Sequence, residues 1–191
     1  MNIEAPHFQF NRELFKDVVH YVCASCPPDK LGNVKLHKVL YFADMLFYVK
    51  RGRPITGASY QKQRFGPTAP YLSAALKELE KESRLKIEDA EFFGFRKKQY
   101  RSLRDPDTSR IGTDERQFID VIIKFVCHDH SAKQISELSH TEAWEVARLG
   151  EELPYYTAFS LFPVEITDED VAWGTAEAEG IVSRGLQPSS V

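Results

Sequence analysis

No run of apolar residues in this 191-residue chain approaches the ~18 that a membrane-spanning helix needs, so no such helix is expected. The opening MNIEAPHFQF has no basic segment leading into an apolar core, which argues against an export leader and predicts a cytoplasmic protein. Three cysteines, an odd number, do not make a disulfide framework and fit a reducing compartment. Charge of one sign is also missing: 25 Lys and Arg against 28 Asp and Glu leave a net charge of −3. A dedicated nucleic-acid module would show a strongly basic balance. There is no HExxH word, no Gly-rich phosphate loop, no internal repeat and no linker long enough to separate two domains.

What is present is a chain long enough to bury a core without staples, organised around one helix. Between Asn33 and Arg51, Leu36, Val39, Leu40, Ala43, Leu46 and Phe47 recur at helical spacing and share a face. Asn33 is the expected N-cap, and Gly52 with Pro54 two residues on marks the stop. ITGASYQKQRF then reads as an extended segment closed by Gly66-Pro67.

Before this helix, residues 1–10 read as an arm, and Leu14, Phe15, Val18, Val19 and Val22 form a helix face with Asn11 as cap and Pro27-Pro28 as terminator. After it, Thr68 is expected to cap a third helix with Leu72, Ala75, Leu76 and Leu79 inward, and the charged run Lys77 to Glu82 is its solvated face. Leu85 to Arg104 changes period and predicts short strands turning near Arg96 to Gln99, with Gly94 as a bulge. These strands are expected to pair with the segment around Tyr60. Thr113 is read as the cap of a helix facing inward through Phe118, Val121, Ile122, Phe125 and Val126. Ser131 and Gln134 spell a capping box, and Ser139 or Thr141 caps a short helix whose Trp144 enters the core while His140 satisfies backbone groups. PYYTAFSLF gives a further short helix, Thr167 to Asp170 caps a last one, and residues 184–191 read as a tail. The expected fold is α+β, mainly helical: a single domain over 11–183 of about seven helices with a small antiparallel sheet.

The words KLHKVLYFADM, GRPITG, a Tyr-bearing segment with GP, and ISELSHTEAWEVARLGEELPY occur in this order. In that order they resemble the SocA-like Panacea domain, whose members are best known as antitoxins of two-gene toxin–antitoxin systems and include phage-associated relatives. The resemblance marks Lys35, Leu36, Leu40, Tyr41, Asp44, Gly52, Pro54, Gly66, Pro67, His140 and Trp144 as motif positions with structural roles. It implies a non-catalytic protein without a cofactor, whose partner is a cognate protein toxin neutralised by direct contact and, in some members, presented to a protease.

Four local features invite other chemistry. His20, Cys23 and Cys26 are spaced like half a metal site, but no second pair of ligands follows at finger spacing, and small buried cysteines are the simpler reading. His128 and His130 suggest a metal-dependent hydrolase, yet two residues apart they do not share a helix face. Ser139, His140 and Thr141 are adjacent on one chain, which seldom gives nucleophile and base the required geometry. The basic, aromatic-bearing cluster Arg96, Lys97, Lys98, Tyr100, Arg101 and Arg104 could bind nucleic acid, but cations on a sheet edge account for it more simply. With Tyr60, Arg64 and Phe65, residues Arg96, Lys97, Lys98, Tyr100 and Arg101 form the expected partner-binding surface.

Overall fold

A computed structural model describes residues 8–92 and 95–162. The chain divides into two compact units, 1–161 and 162–191; the expected last helix and the tail lie outside the described residues. The first unit runs α1 (Arg12–Ser25), α2 (Asn33–Arg51), α3 (Leu72–Lys81), β1 (Leu85–Phe92), β2 (Phe95–Ser102), α4 (Thr113–Ile123), a π-helical turn (Lys124–His128), α5 (Ala132–Leu138), α6 (Glu142–Val146) and a 3-10 helix (Tyr155–Leu161). It is mainly helical α+β, with an antiparallel two-stranded sheet. Among the described residues no helix is long and apolar enough to cross a membrane.

α2 is the axis of this unit. Leu36, Val39, Leu40, Ala43, Met45 and Phe47 are all buried, and so are Lys38, Tyr41, Phe42 and Asp44 on its other sides. A helix buried nearly all round is a core helix, and α1, α4, α5, the π turn, β2 and the 3-10 helix all pack on it. Gly52 ends it in the left-handed conformation (φ 72°), its N–H donating to Tyr48 O. The expected cap, Asn33, is instead the first helical residue and Gly32 occupies the cap position. Asn33 Oδ1 accepts from the Tyr100 hydroxyl at 3.1 Å, so a tertiary contact has taken the side chain that local chemistry would have used.

Asn11 caps α1 as expected, accepting from Leu14 N at 3.0 Å. The arm is tied down from Phe8 on: Phe8 packs edge-on against Tyr48 and Tyr155, and Phe10 against Phe15 and Tyr71. Asn11 N also donates to Thr56 O. Gly57 (φ 72°) allows this approach, since a Cβ there would lie 2.6 Å from Gln9 O.

Several expectations are corrected. The sheet is the β1–β2 pair, with Phe92 opposite Phe95 in register, so Arg96 to Gln99 lie inside β2 and not at a turn. Gly94 is outside the described residues. The Tyr60 segment does not join this sheet; Gln61 makes isolated bridges to Thr68 and Glu152. Thr68, engaged in that bridge, does not cap α3, which begins after Tyr71. Gly112, not Thr113, precedes α4, and Glu115 Oε2 accepts from its N–H at 2.9 Å. Of the residues expected to face inward from α4 onward, Ile122 and Val126 are buried and Phe118 and Phe125 pack partly buried on the core, but Val121 is 63 % exposed, and Ile119 and Ile123 are buried in addition. The π turn that follows buries Val126 and Cys127.

Candidate functional site

The recurrent sequence words meet at two places along α2. The first is Asp44, fully buried and, among the described residues, in no ion pair. Its carboxylate accepts from Ile55 N (2.9 Å), Thr56 N (2.8 Å), Thr56 Oγ1 (2.5 Å) and the Tyr60 hydroxyl (2.8 Å). Tyr155, whose hydroxyl donates to Ala58 O at 2.6 Å, closes the far side. Burial pushes the Asp44 carboxyl up from its ordinary value, opposed by the hydrogen bonds from Thr56, Tyr60 and Ile55. Asp44 therefore latches the GRPITG loop and the Tyr60 segment onto the core helix.

The second lies one helical turn and a half nearer the start of α2, where Lys38 meets Gly66-Pro67 and Ser139. Lys38 is 1 % exposed, and its ammonium donates to Pro67 O at 3.3 Å. Gly66 (φ 96°) has no room for a side chain: a Cβ would stand 2.2 Å from Lys38 Nζ and 2.6 Å from Ser139 Oγ. Ser139 Oγ donates to Ser136 O at 2.7 Å, and Ser136 Oγ to Phe65 O at 2.9 Å, so α5 is sewn to the GP turn. His140 does not satisfy backbone groups with its ring. It stacks flat on Trp144 at 3.7 Å, and Lys62 Nζ sits 4.3 Å above Trp144. Trp144 is half-buried rather than in the core, and His140 Nε2 and Trp144 Nε1 are both buried without a hydrogen-bond partner.

Cations collect around the first turn of α2. A cavity of about 810 Å³ is lined by Lys30, Lys35, Lys97, Lys98 and the backbone start at Gly32-Asn33, with Asp29 also on its wall. Lys35 Nζ donates to Cys127 O at 3.1 Å, Lys30 Nζ meets His128 Nδ1 at 3.2 Å, and Lys97 donates to Asp29 O. A second cavity, about 290 Å³, opens on the other side of Asn33 and Val34 and is lined by His37, Lys38, Gln63, Arg64, Phe65 and Thr68. The positive end of the α2 dipole, with no side-chain cap, lies between the two. A third cavity of about 480 Å³, walled by Phe8, Phe10, Tyr71 and Tyr155, is apolar and lacks this concentration of charge.

The expected partner-binding residues divide accordingly. Arg64, Phe65, Lys98 and Arg101 are exposed, with the Arg64 guanidinium 5.5 Å from the centre of the Phe65 ring. Tyr60 and Tyr100 are corrected: at 1 % and 0 % exposure they are core residues, and the aromatic ring won over the hydroxyl in placing them. Lys97 is half-buried beside Gly32, and the Arg96 side chain lies outside the described residues.

The competing metal readings come apart. His128 pairs with Lys30, whereas His130 Nδ1 is held at 2.8 Å from Phe125 O and its ring lies against that of Phe125. His20 Nδ1 accepts from Arg84 Nη2 at 3.1 Å and its Nε2 bonds Ser102 Oγ at 2.9 Å, while Arg84 and Arg110 flank the buried Asp17. Cys23 is buried, which raises its thiol pKa, with Cys26 adding in the same sense, while Cys26 and Cys127 interact so that the Cys26 thiol is lowered and that of Cys127 raised. Among the described residues no group of three His, Cys, Asp or Glu could hold a metal ion.

The family model described as antitoxin SocA-like, Panacea domain, matches residues 36–145. The chain belongs to this family. No curated protein and no solved structure matches the chain. The matched span of the Panacea domain opens at Leu36 and closes at Glu145, so it contains both the Asp44 latch and the Lys38–Gly66–Ser139 junction. Sequence reasoning found the motif words but not the cluster of orphaned polar atoms. The adjacent pair His37-Lys38 on a core helix was the available signal, because two polar residues there must find partners.

Proposed function

We propose that this Panacea domain is a binding protein that neutralises a cognate protein toxin by direct, stoichiometric contact. The observation that supports it best is membership of the antitoxin family over more than half the chain. Exposed basic groups support the contact reading: Arg64, beside the exposed Phe65 ring, and Lys98 line the cavities on either side of the start of α2, and Arg101 is exposed on β2, where it pairs with Glu88 at 3.4 Å. Exposed Arg and aromatic groups are the side chains on which interfaces concentrate their energy. A toxin that fits this surface presents acidic residues to it.

Co-expression with the toxin encoded beside it is the test. Reversing charge in Arg64→Glu, Lys98→Glu and Arg101→Glu together is expected to lose protection while leaving the melting temperature within a few degrees, because exposed charges contribute little to stability. Protection should scale with the amount of antitoxin and saturate near equimolar. Protection at strongly substoichiometric levels, or full protection by the triple variant, would overturn the surface assignment. Presentation of the toxin to a protease would add to this contact and would show as toxin levels that fall with time only when the antitoxin is present.

A further inference from the structure

Lys38 is anomalous in a way that the antitoxin reading does not explain. A buried ammonium is expected to be paired with a carboxylate and to have its protons hydrogen-bonded. Here it has Pro67 O at 3.3 Å, and among the described residues it forms no ion pair. Burial alone lowers its pKa to about 7. Its neighbour His37 has a buried Nδ1 with no partner. Both side chains line the 290 Å³ cavity, whose remaining polar groups are Asn33, Gln63, Thr68 and the exposed Arg64; no acidic residue lines it. The absent side chain at Gly66 keeps the approach to Lys38 Nζ clear, since a methyl there would fall 2.2 Å from the nitrogen.

We propose that this cavity binds a small oxyanion group, a phosphate or a carboxylate, with Lys38 and Arg64 as cationic partners and His37 Nδ1–H as a third donor. The volume suits one such group with a few attached atoms. The arrangement is the one that oxyanions need, several donors of positive character converging on a space free of negative charge. The positive end of α2 beside it adds to the field in the same sense. Phe65 and Val34 supply an apolar wall for whatever carries the anion. The site stands whether or not the chain neutralises a toxin, and its probe contains none.

The experiment titrates the full chain at pH 6.5 with sodium phosphate or sodium acetate, each against sodium chloride at matched ionic strength, and follows the melting temperature together with the imidazole resonances of His37. Saturable stabilisation is expected, accompanied by a saturable shift of the His37 signals. Arg64→Ala should weaken the affinity about tenfold or more, as expected for one charge-assisted contact. Lys38→Met should raise the melting temperature in chloride, by removing an unpaired buried charge, and abolish the anion-dependent increment. A response to phosphate alone assigns a phosphoryl-bearing ligand, and a response to acetate alone a carboxylate. No response to either, or an equal response in wild type and Lys38→Met, overturns the proposal. Should Lys38→Met fail to fold, the His37 shift in the wild type and its weakening in the exposed Arg64→Ala variant decide the matter.

Discussion

Asp44 shows how one residue can set the course of a long loop. Its carboxylate receives two backbone N–H groups and the Thr56 hydroxyl, and it shares the Tyr60 hydroxyl, which stands 2.8 Å from both Asp44 and Leu40 O. Removing it strands several donors at once, and each stranded group carries a desolvation cost of about 1–3 kcal/mol. Asp44→Ala is therefore expected to lose about 4 kcal/mol or more in urea unfolding. Tyr60→Phe removes a single donor, leaves the ring packed against Tyr41, and should lose about 2 kcal/mol. Equal losses for the two variants would show that the carboxylate is not the organising group. Asp17 belongs to the same class by a different route, with its charge answered by Arg84 and Arg110 rather than by neutral donors.

The termination of α2 separates backbone strain from crowding. Gly52 and Gly66 both have positive φ, yet nothing lies within 4 Å of a Cβ at Gly52, whereas one at Gly66 meets Lys38 and Ser139. Gly52→Ala should accordingly cost only the left-handed penalty, about 1 kcal/mol, or roughly 2–4 °C in melting temperature for a chain of this size. Gly66→Ala should cost more, and the same calorimetric scan on both variants checks the order. Leu40→Asp, on the buried face of the helix, should unfold the domain outright, since it places an unpaired charge where Leu40 is 2 % exposed. Elements with strong periodicity or unambiguous stops were legible in the sequence: α1 with its Asn11 cap, α2 with Gly52, the Ser131–Gln134 capping box and the short 3-10 helix. The features that could not be read locally are those where a distant group intervened. Tyr100 took the Asn33 side chain, and Gln61 took Thr68. The family words were legible as words, and Arg64, Phe65, Lys98 and Arg101, expected at the surface, are exposed. Tyr60 and Tyr100 were misplaced because a tyrosine carries both a polar tip and a large apolar ring, and composition does not say which end the fold will use.

At the scale of the whole molecule, the three histidines His20, His37 and His140 all have pKa values below the ordinary value, in each case first through burial. The shift is largest at His37, where burial and then the nearby Lys38 charge bring the value down to about 4. An unfolded histidine binds its proton near pH 6.5, while the folded one stays neutral until about pH 4, so over that interval the unfolded state carries more protons. Stability must therefore fall as pH drops through this window and be fully recovered above it, by an amount on the order of 3 kcal/mol from His37 alone. Lys38 acts in the same sense at higher pH: its folded value of about 7 lies below the ordinary 10.5, so stability continues to rise as pH increases between those limits. The surface carboxylates Glu78, Glu82 and Glu88 are held low by Arg12, Lys16 and Lys86 and also lose stabilisation in acid, which makes the wild-type profile a composite. Urea unfolding of wild type and His37→Gln at pH 7 and pH 4.5 isolates the histidine. The variant, which has nothing to protonate at that position, should lose distinctly less stability over the interval than the wild type. Parallel losses would mean that His37 is protonated as readily in the folded chain as in the unfolded one, and hence that the cavity beside Lys38 is wetter and less positive than its lining implies.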